Sequence, residues 1–120
     1  MSLATNVAVG IVAALHLLFL VLEMFLWRTP FGRRTFGLSR ELADASAGLA
    51  MNQGLYNGFL AAGLVWGLCA PAALGRPVQI FFLVCVVVAG VFGAATAKRS
   101  ILFVQALPGA VALALRLSTP

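Results

Sequence analysis

Four long apolar segments dominate this chain, at residues 3–27, 45–70, 78–97 and 101–117. A helix that crosses a membrane needs about 20 mainly apolar residues, because the hydrocarbon core of a bilayer is about 30 Å thick. The chain is 62% hydrophobic and only 9% charged, whereas an average soluble domain has about 25% charged residues, so we exclude a water-soluble core. The sequence therefore predicts an all-α fold, a four-transmembrane-helix bundle that forms a single integral membrane domain over residues 1–120.

The basic residues predict how these four spans are oriented. Those of the first and third connections are Arg28, Arg33, Arg34, Arg40, Lys98 and Arg99. The opposite side of the membrane receives only Arg76 and Arg116. Because cytoplasmic loops are enriched in Lys and Arg, we expect both termini on the extracytoplasmic side of a cell membrane, either an inner or a plasma membrane. The net charge of +5 is then a topology signal, and we do not expect nucleic acid as a partner.

Helix-breaking and capping residues predict where the spans end. Trp27, followed closely by Pro30, indicates the end of the first span. We expect a short interfacial helix in the polar connection that follows, beginning after Ser39, whose hydroxyl can cap it. Pro108 and Gly109 predict a kink or a break in the fourth span.

Two ionisable side chains, His16 and Glu23, lie inside the first predicted span. An ionisable group at the centre of a membrane costs roughly 2.5 to 3.5 kcal/mol on insertion scales, so such a residue is a candidate for function. The two residues are seven positions apart, which leaves them roughly 20° apart around a helix. We therefore expect both side chains to face the same neighbouring helix or cavity.

Hydrogen-bonding side chains lie in the first half of the second span and near the start of the fourth. They are Asn52, Gln53, Tyr56, Asn57 and Gln105. Residue counts from the cytoplasmic ends of the spans give them depths similar to those of His16 and Glu23. We therefore predict a buried polar pocket in the cytoplasmic half of the bundle, with Glu23 and His16 as catalytic residues and the other five as ligand-binding residues. Two simpler interpretations stay open: hydrogen bonds between helices without a ligand, and an ion pair of Glu23 with Arg28 or Arg33.

Glycines spaced four apart occur twice in the second span, as Gly54 with Gly58 and as Gly63 with Gly67. Such pairs allow helices to approach closely. One histidine with no cysteine nearby in the sequence does not form a usual metal-ligand set, and the chain has no phosphate-binding loop, nucleophile elbow or CxxC motif. We expect neither a metal nor a cofactor.

The segment NQGLYNGFLAAGLVWGL, residues 52–68, together with HLLFLVLEMFLW, residues 16–27, resembles a known family. This is the group of small bacterial and fungal membrane proteins called the domain of unknown function 1304 family. The resemblance extends over essentially the whole chain and includes the basic loop with Phe36 and Gly37 and the Gln-x-x-Pro element at 105–108. It implies four transmembrane helices and no established activity, so it leaves the function open.

Three functions are compatible with these residues. The first is binding or acid/base conversion of a lipophilic small molecule, with Glu23 and His16 exchanging a proton and Asn52 or Tyr56 orienting the substrate. The second is a small proton-coupled exporter of lipophilic cations that works as a dimer through Glu23. The third is a structural or assembly subunit. Whether the chain is an enzyme stays open, and the expected partners are membrane lipid, a lipophilic small molecule and further copies of the chain in a homo-oligomer.

Overall fold

The computed structural model describes residues 2–120, which form five α-helices and no strand. The predicted all-α class is therefore confirmed. The helices are α1 (Leu3–Met24), α2 (Pro30–Phe36), α3 (Arg40–Cys69), α4 (Ala72–Thr96) and α5 (Leu107–Ser118), and a π-helical turn (Leu102–Ala106) leads into α5.

The first helix ends at Met24, three residues before the expected end at Trp27. Beyond Met24 the regular hydrogen-bond pattern stops, because the backbone amides of Phe25 and Leu26 both donate to the carbonyl of Val21, at 3.0 and 3.2 Å. The last carbonyls of any helix lack helical partners, and this shared acceptor starts the turn that follows α1.

A short helix, α2, occupies the connection in which the interfacial helix was expected. Thr29 caps its start, since the Thr29 hydroxyl accepts from the amide of Gly32 at 3.1 Å. Pro30 takes the first helical position, where its missing amide hydrogen costs nothing. Gly37 ends α2 in the left-handed conformation, at a φ of 66°, which glycine adopts without steric cost. The connection therefore contains a short helix at 30–36, before Ser39 and not after it as expected.

Ser39 is a cap, as predicted, but for the long helix α3 and not for a separate interfacial helix. The Ser39 hydroxyl accepts from the amide of Leu42 at 3.1 Å, and the Ser39 carbonyl accepts from the amide of Ala43 at 2.9 Å. Helix α3 therefore begins at Arg40, five residues before the expected start of the second span at Ala45.

Helices α4 and α5 each contain a proline near the N-terminal end. Helix α4 begins at Ala72, so that Pro77 lies within its second turn and does not precede it. Pro108 occupies one of the first two positions of α5 and has no amide hydrogen to continue a regular pattern. A π-helical turn precedes α5, in which the amide of Leu107 donates to the carbonyl of Leu102. The helix is thus irregular just before Pro108 but continues without the expected break.

The chain divides into two compact units, which we call the larger unit (residues 2–15 and 60–120) and the smaller unit (residues 16–59). The larger unit has an apolar core built from four helices: Val9, Val12, Ala13, Leu64, Leu83, Val86 and Ala112. In the smaller unit, the indole of Trp27 donates to the Ser46 hydroxyl at 3.0 Å and packs on the ring of Phe36 at 4.7 Å. These contacts fix the connection against α3.

Two helices, α1 and α4, are long and apolar enough to cross a membrane. The segment Leu102–Ser118 is a shorter apolar helix. Helix α3 is the longest, at 30 residues, but the amide residues in its middle lower its hydropathy below that of α1 and α4. Of the four expected spans, two are therefore recognisable in the structure by length and composition.

Candidate functional site

Two of the seven predicted site residues, Glu23 and Asn57, form a direct hydrogen bond. The Asn57 side-chain amide donates to Glu23 Oε1 at 2.5 Å. Glu23 lies in the last turn of α1, and Asn57 lies in the middle of α3. The Asn57 side chain is buried, and that of Glu23 is half-buried. A carboxylate and an amide from two helices thus meet within the smaller unit.

Glycines on α3 make this contact possible. A Cβ atom at Gly54 would lie 2.6 Å from the Met24 side chain and 3.1 Å from that of Glu23, and one at Gly58 would lie 2.7 Å from Leu20. Gly54, Asn57 and Gly58 follow the i, i+3, i+4 spacing of one helix face. The close approach that the Gly54 and Gly58 spacing predicts is therefore what brings Asn57 against Glu23.

The Glu23 and Asn57 pair offers both acceptors and donors for hydrogen bonds. A carboxylate has about four lone-pair positions, and a side-chain amide has two N–H donors and an acceptor oxygen. The bond from Asn57 uses one position on Glu23 Oε1. The second carboxylate oxygen of Glu23 and the remaining amide groups of Asn57 can therefore serve a ligand.

Glu23 does not form the ion pair that we considered as a simpler interpretation. Arg28 Nη1 instead lies 4.0 Å from Asp44 Oδ1, and both of these side chains are exposed. The Nε atom of Arg33 is buried without a hydrogen-bond partner among residues 2–120. In the structure, the partner of Glu23 is the neutral amide of Asn57.

His16 is almost completely buried, at 1% exposure, on the same helix as Glu23. Its ring packs edge-on against Phe19, with 5.2 Å between the ring centroids. The imidazole is therefore buried beside an aromatic ring of the smaller unit, two turns along α1 from the carboxylate.

Three predicted ligand-binding residues, Asn52, Gln53 and Tyr56, are exposed on α3. Tyr56 is 50% exposed and its ring packs loosely against Phe59, at 6.1 Å. Asn52 and Tyr56 are each two positions from Gly54, which turns them about 160° away from it around the helix. They therefore lie on the side of α3 opposite to the face that contacts Glu23.

Gln105 lies in the π-helical turn of the larger unit and is partly exposed. An apolar groove of about 260 Å³ borders this turn, and its lining includes Val87, Val91, Leu102 and Phe103. The Gln105 side chain is not part of that lining. The structure joins Glu23 to Asn57 by a hydrogen bond, and the single pocket containing all seven residues stays a prediction.

Sequence reasoning missed a second polar cluster, around Gln79 and Arg116 in the larger unit. Both side chains are fully buried, at 0% exposure. A signal was present, because Gln79 is the one amide residue in the apolar stretch 77–95. Arg116 had been counted only as a topology signal. Elsewhere, no group of three or more His, Cys, Asp or Glu side chains that could hold a metal ion occurs among residues 2–120.

Comparison with known proteins gives one family. The family model described as "Protein of unknown function (DUF1304)" matches residues 10–117. The two segments that carry the resemblance, 16–27 and 52–68, lie within that match, and the predicted family is confirmed. No curated protein and no solved structure is significantly similar to the chain.

Proposed function

This chain belongs to the DUF1304 family, whose members are described only as proteins of unknown function, and we propose that it is a multi-pass cell-membrane protein that binds a lipophilic small molecule at Glu23 and Asn57. The proposal has two parts, the membrane location and the ligand site. The two parts depend on different residues.

The apolar exterior of the chain supports a membrane location. In the most apolar 18-residue stretch of each helix, only 28% of α1 and 22% of α4 is buried. A core helix of a soluble protein would be mostly buried. Large aromatic side chains are among the most exposed, including Phe25 at 69%, Phe92 at 68% and Phe103 at 66%. Soluble monomers rarely expose continuous apolar surface beyond a few hundred Å², and lipid would cover such a surface.

The remaining helices complete four spans in this proposal. Helix α3 is about 45 Å long at 1.5 Å per residue, enough to cross the bilayer and extend beyond it. The apolar segment Leu102–Ser118 is at the short end of the range of about 17 to 25 residues for a span. With the basic connections inside, both termini lie on the extracytoplasmic side.

The Glu23 and Asn57 hydrogen bond is the observation that carries the ligand proposal. A carboxylate held between α1 and α3 and bonded to a neutral amide retains acceptor positions beyond the one that Asn57 fills. Polar groups inside a bilayer are costly unless they are satisfied. A lipophilic molecule with a hydroxyl or protonated amine would supply the missing donor, and Glu23 could also take its proton in an acid/base reaction.

The proposal is tested with three forms of the purified protein: wild type, Glu23→Gln, and Glu41→Gln as a matched control. Glu41 is exposed in the first turn of α3, so this control removes the same charge away from the site. Native mass spectrometry and solvent extraction identify small molecules that co-purify. A molecule retained by the wild type and the control, and lost from Glu23→Gln, supports the proposal.

A second candidate function, assembly through α3, is favoured by the exposed polar side chains Asn52, Gln53 and Tyr56. Amide side chains on the outer face of a membrane helix can form hydrogen bonds with the same residues of another copy. This function predicts a homo-oligomer and no ligand. Export of lipophilic cations would use the same Glu23 carboxylate and is distinguished by Glu23-dependent flux in reconstituted vesicles.

A further inference from the structure

The buried Gln79 side chain of the larger unit connects the end of α3 to α5. Its amide nitrogen donates to the carbonyl of Gly67 at 2.9 Å, and its amide oxygen accepts from Arg116 Nη1 at 3.4 Å. Gly67 lies in the last turn of α3, where helix carbonyls lack helical partners. Gln79 therefore satisfies a helix end and at the same time holds the guanidinium of Arg116 in place.

A second arginine, Arg76, lies beside Arg116. Arg76 Nε donates to the carbonyl oxygen of Thr119 at 3.4 Å, and Arg116 Nη2 lies 3.5 Å from the same oxygen. Arg116 Nη2 also donates to the Thr119 hydroxyl at 2.8 Å and to the oxygen of Pro120 at 3.0 Å. Two guanidinium groups thus converge on one backbone oxygen.

The larger unit has an excess of positive charge around this pair. Its residues, 2–15 and 60–120, include Arg76, Lys98, Arg99 and Arg116 but no Asp or Glu. The Arg76 and Arg116 pair therefore lies in a mainly apolar unit whose charged side chains are all basic.

We propose that Arg76 and Arg116 form a binding site for a phosphate group. The planar guanidinium fork matches the oxygens of a phosphate, and such bonds are among the strongest that arginine makes. Arg76 is partly exposed and can contact the phosphate directly, while the buried Arg116 supplies a second positive charge behind it. The phosphate could belong to an anionic lipid headgroup or to a free anion.

The position of the pair favours the headgroup, a step that rests on the proposed membrane location. Arg76 lies in the second turn of α4, and Arg116 lies in the last turn of α5. Both positions are at helix ends, where a spanning helix meets the phosphate layer of a bilayer. An alternative role for Arg116 is purely structural, as a cap for the carbonyl groups that follow α5.

The test measures how anions change the melting temperature of the detergent-purified protein. Phosphatidylglycerol, phosphatidylcholine and inorganic phosphate are titrated separately into wild type, Arg76→Gln and Arg99→Gln. Arg99 belongs to the same unit and is exposed, so Arg99→Gln is the charge-matched control. Arg116→Lys, which keeps the charge but loses the fork, serves as a second variant.

We expect phosphatidylglycerol to stabilise the wild type and Arg99→Gln, and the apparent Kd to rise at least tenfold in Arg76→Gln. A response to inorganic phosphate of equal size would identify a free anion as the ligand of the same site. Equal effects of the two lipids on the wild type, with no phosphate response, would overturn the proposal and leave the structural role. An anion response that is unchanged in Arg76→Gln would also overturn the proposal. Glu23→Gln should keep the anion response, which separates this site from the proposed small-molecule site.

Discussion

The side chains of Glu23 and Asn57 are hydrogen-bonded although they lie 34 positions apart in the sequence. The bond connects the last turn of α1 to the middle of α3 within the smaller unit. It is possible because Gly54 and Gly58 leave room for the side chains of α1.

The Glu23 and Asn57 bond should contribute measurably to stability. Asn57→Leu should lower the free energy of unfolding by about 1 to 3 kcal/mol, because it leaves a sheltered carboxylate without its donor. Adding Glu23→Leu removes the unsatisfied group, so the double variant should be more stable than the sum of the single changes. Denaturant titration in detergent micelles measures this cycle, and strictly additive effects would show that the two side chains are not coupled.

Gly90 should not tolerate even a methyl group. A Cβ atom at this position would lie 2.7 to 2.8 Å from backbone atoms of Ala106, which cannot move as a side chain can. Gly90→Ala should therefore cost about 1 to 3 kcal/mol through overpacking. Gly10→Ala is the control, since nothing lies within 4 Å of a Cβ there; thermal unfolding should leave the control unchanged or slightly more stable.

The sequence predicted the helical class and most of the apolar segments, because long uncharged runs restrict a chain strongly. Several helix ends were not predictable. Proline favours the start of a helix, because it lacks the amide hydrogen that an interior position needs. Helix α4 nevertheless begins at Ala72 and contains Pro77, which the local sequence does not indicate. Ser39 was recognised as a cap, but its spacing does not show how long the capped helix continues.

For the candidate site, Glu23 was predictable because a carboxylate in an apolar span is rare. Predicting its partner, Asn57, requires knowing which face of α3 contacts α1. The spacing of Gly54 and Gly58 contained that information and would have selected Asn57 over Asn52. Gln79 and Arg116 are 37 positions apart, and nothing local in the sequence indicates that they meet.

The proposed topology predicts the accessibility of introduced cysteines. In a variant whose native Cys69 and Cys85 are replaced by serine, Ser118→Cys should react with a membrane-impermeant thiol reagent added to intact cells. Lys98→Cys should react only after the cells are opened, because the third connection is expected in the cytoplasm. The reverse labelling pattern would show the opposite orientation, and labelling of both from outside would argue against a span formed by the segment Leu102–Ser118.

The exposed polar face of α3 predicts self-association if the chain is an assembly subunit. Replacing Asn52 and Gln53 together by leucine should shift the purified protein from oligomer to monomer, because the amide hydrogen bonds between copies are lost. Leu49→Ala, an exposed apolar change on the same helix, is the control. Light scattering in detergent measures the mass, and a monomeric wild type would contradict assembly through this face.

Gln79→Glu should place a negative charge beside the arginine pair and so weaken the binding of an anionic lipid there. A carboxylate at this position lies next to Arg116 and neutralises part of the charge that the proposed phosphate would otherwise balance. The stabilisation by phosphatidylglycerol should therefore fall towards that seen with phosphatidylcholine, whereas Gln79→Met should leave the lipid preference in place. An undiminished response of Gln79→Glu would contradict the proposed role of the charge.

The most direct test of the central proposal is the molar ratio of co-purified small molecule to protein in Glu23→Gln, relative to Glu41→Gln. Both variants lose one carboxylate, but only the first loses the group bonded to Asn57. The proposed site predicts a ratio at least tenfold lower in Glu23→Gln. Equal ratios, or bulk lipid alone in every preparation, would contradict a ligand site at Glu23 and Asn57 and would favour assembly as the function of the chain.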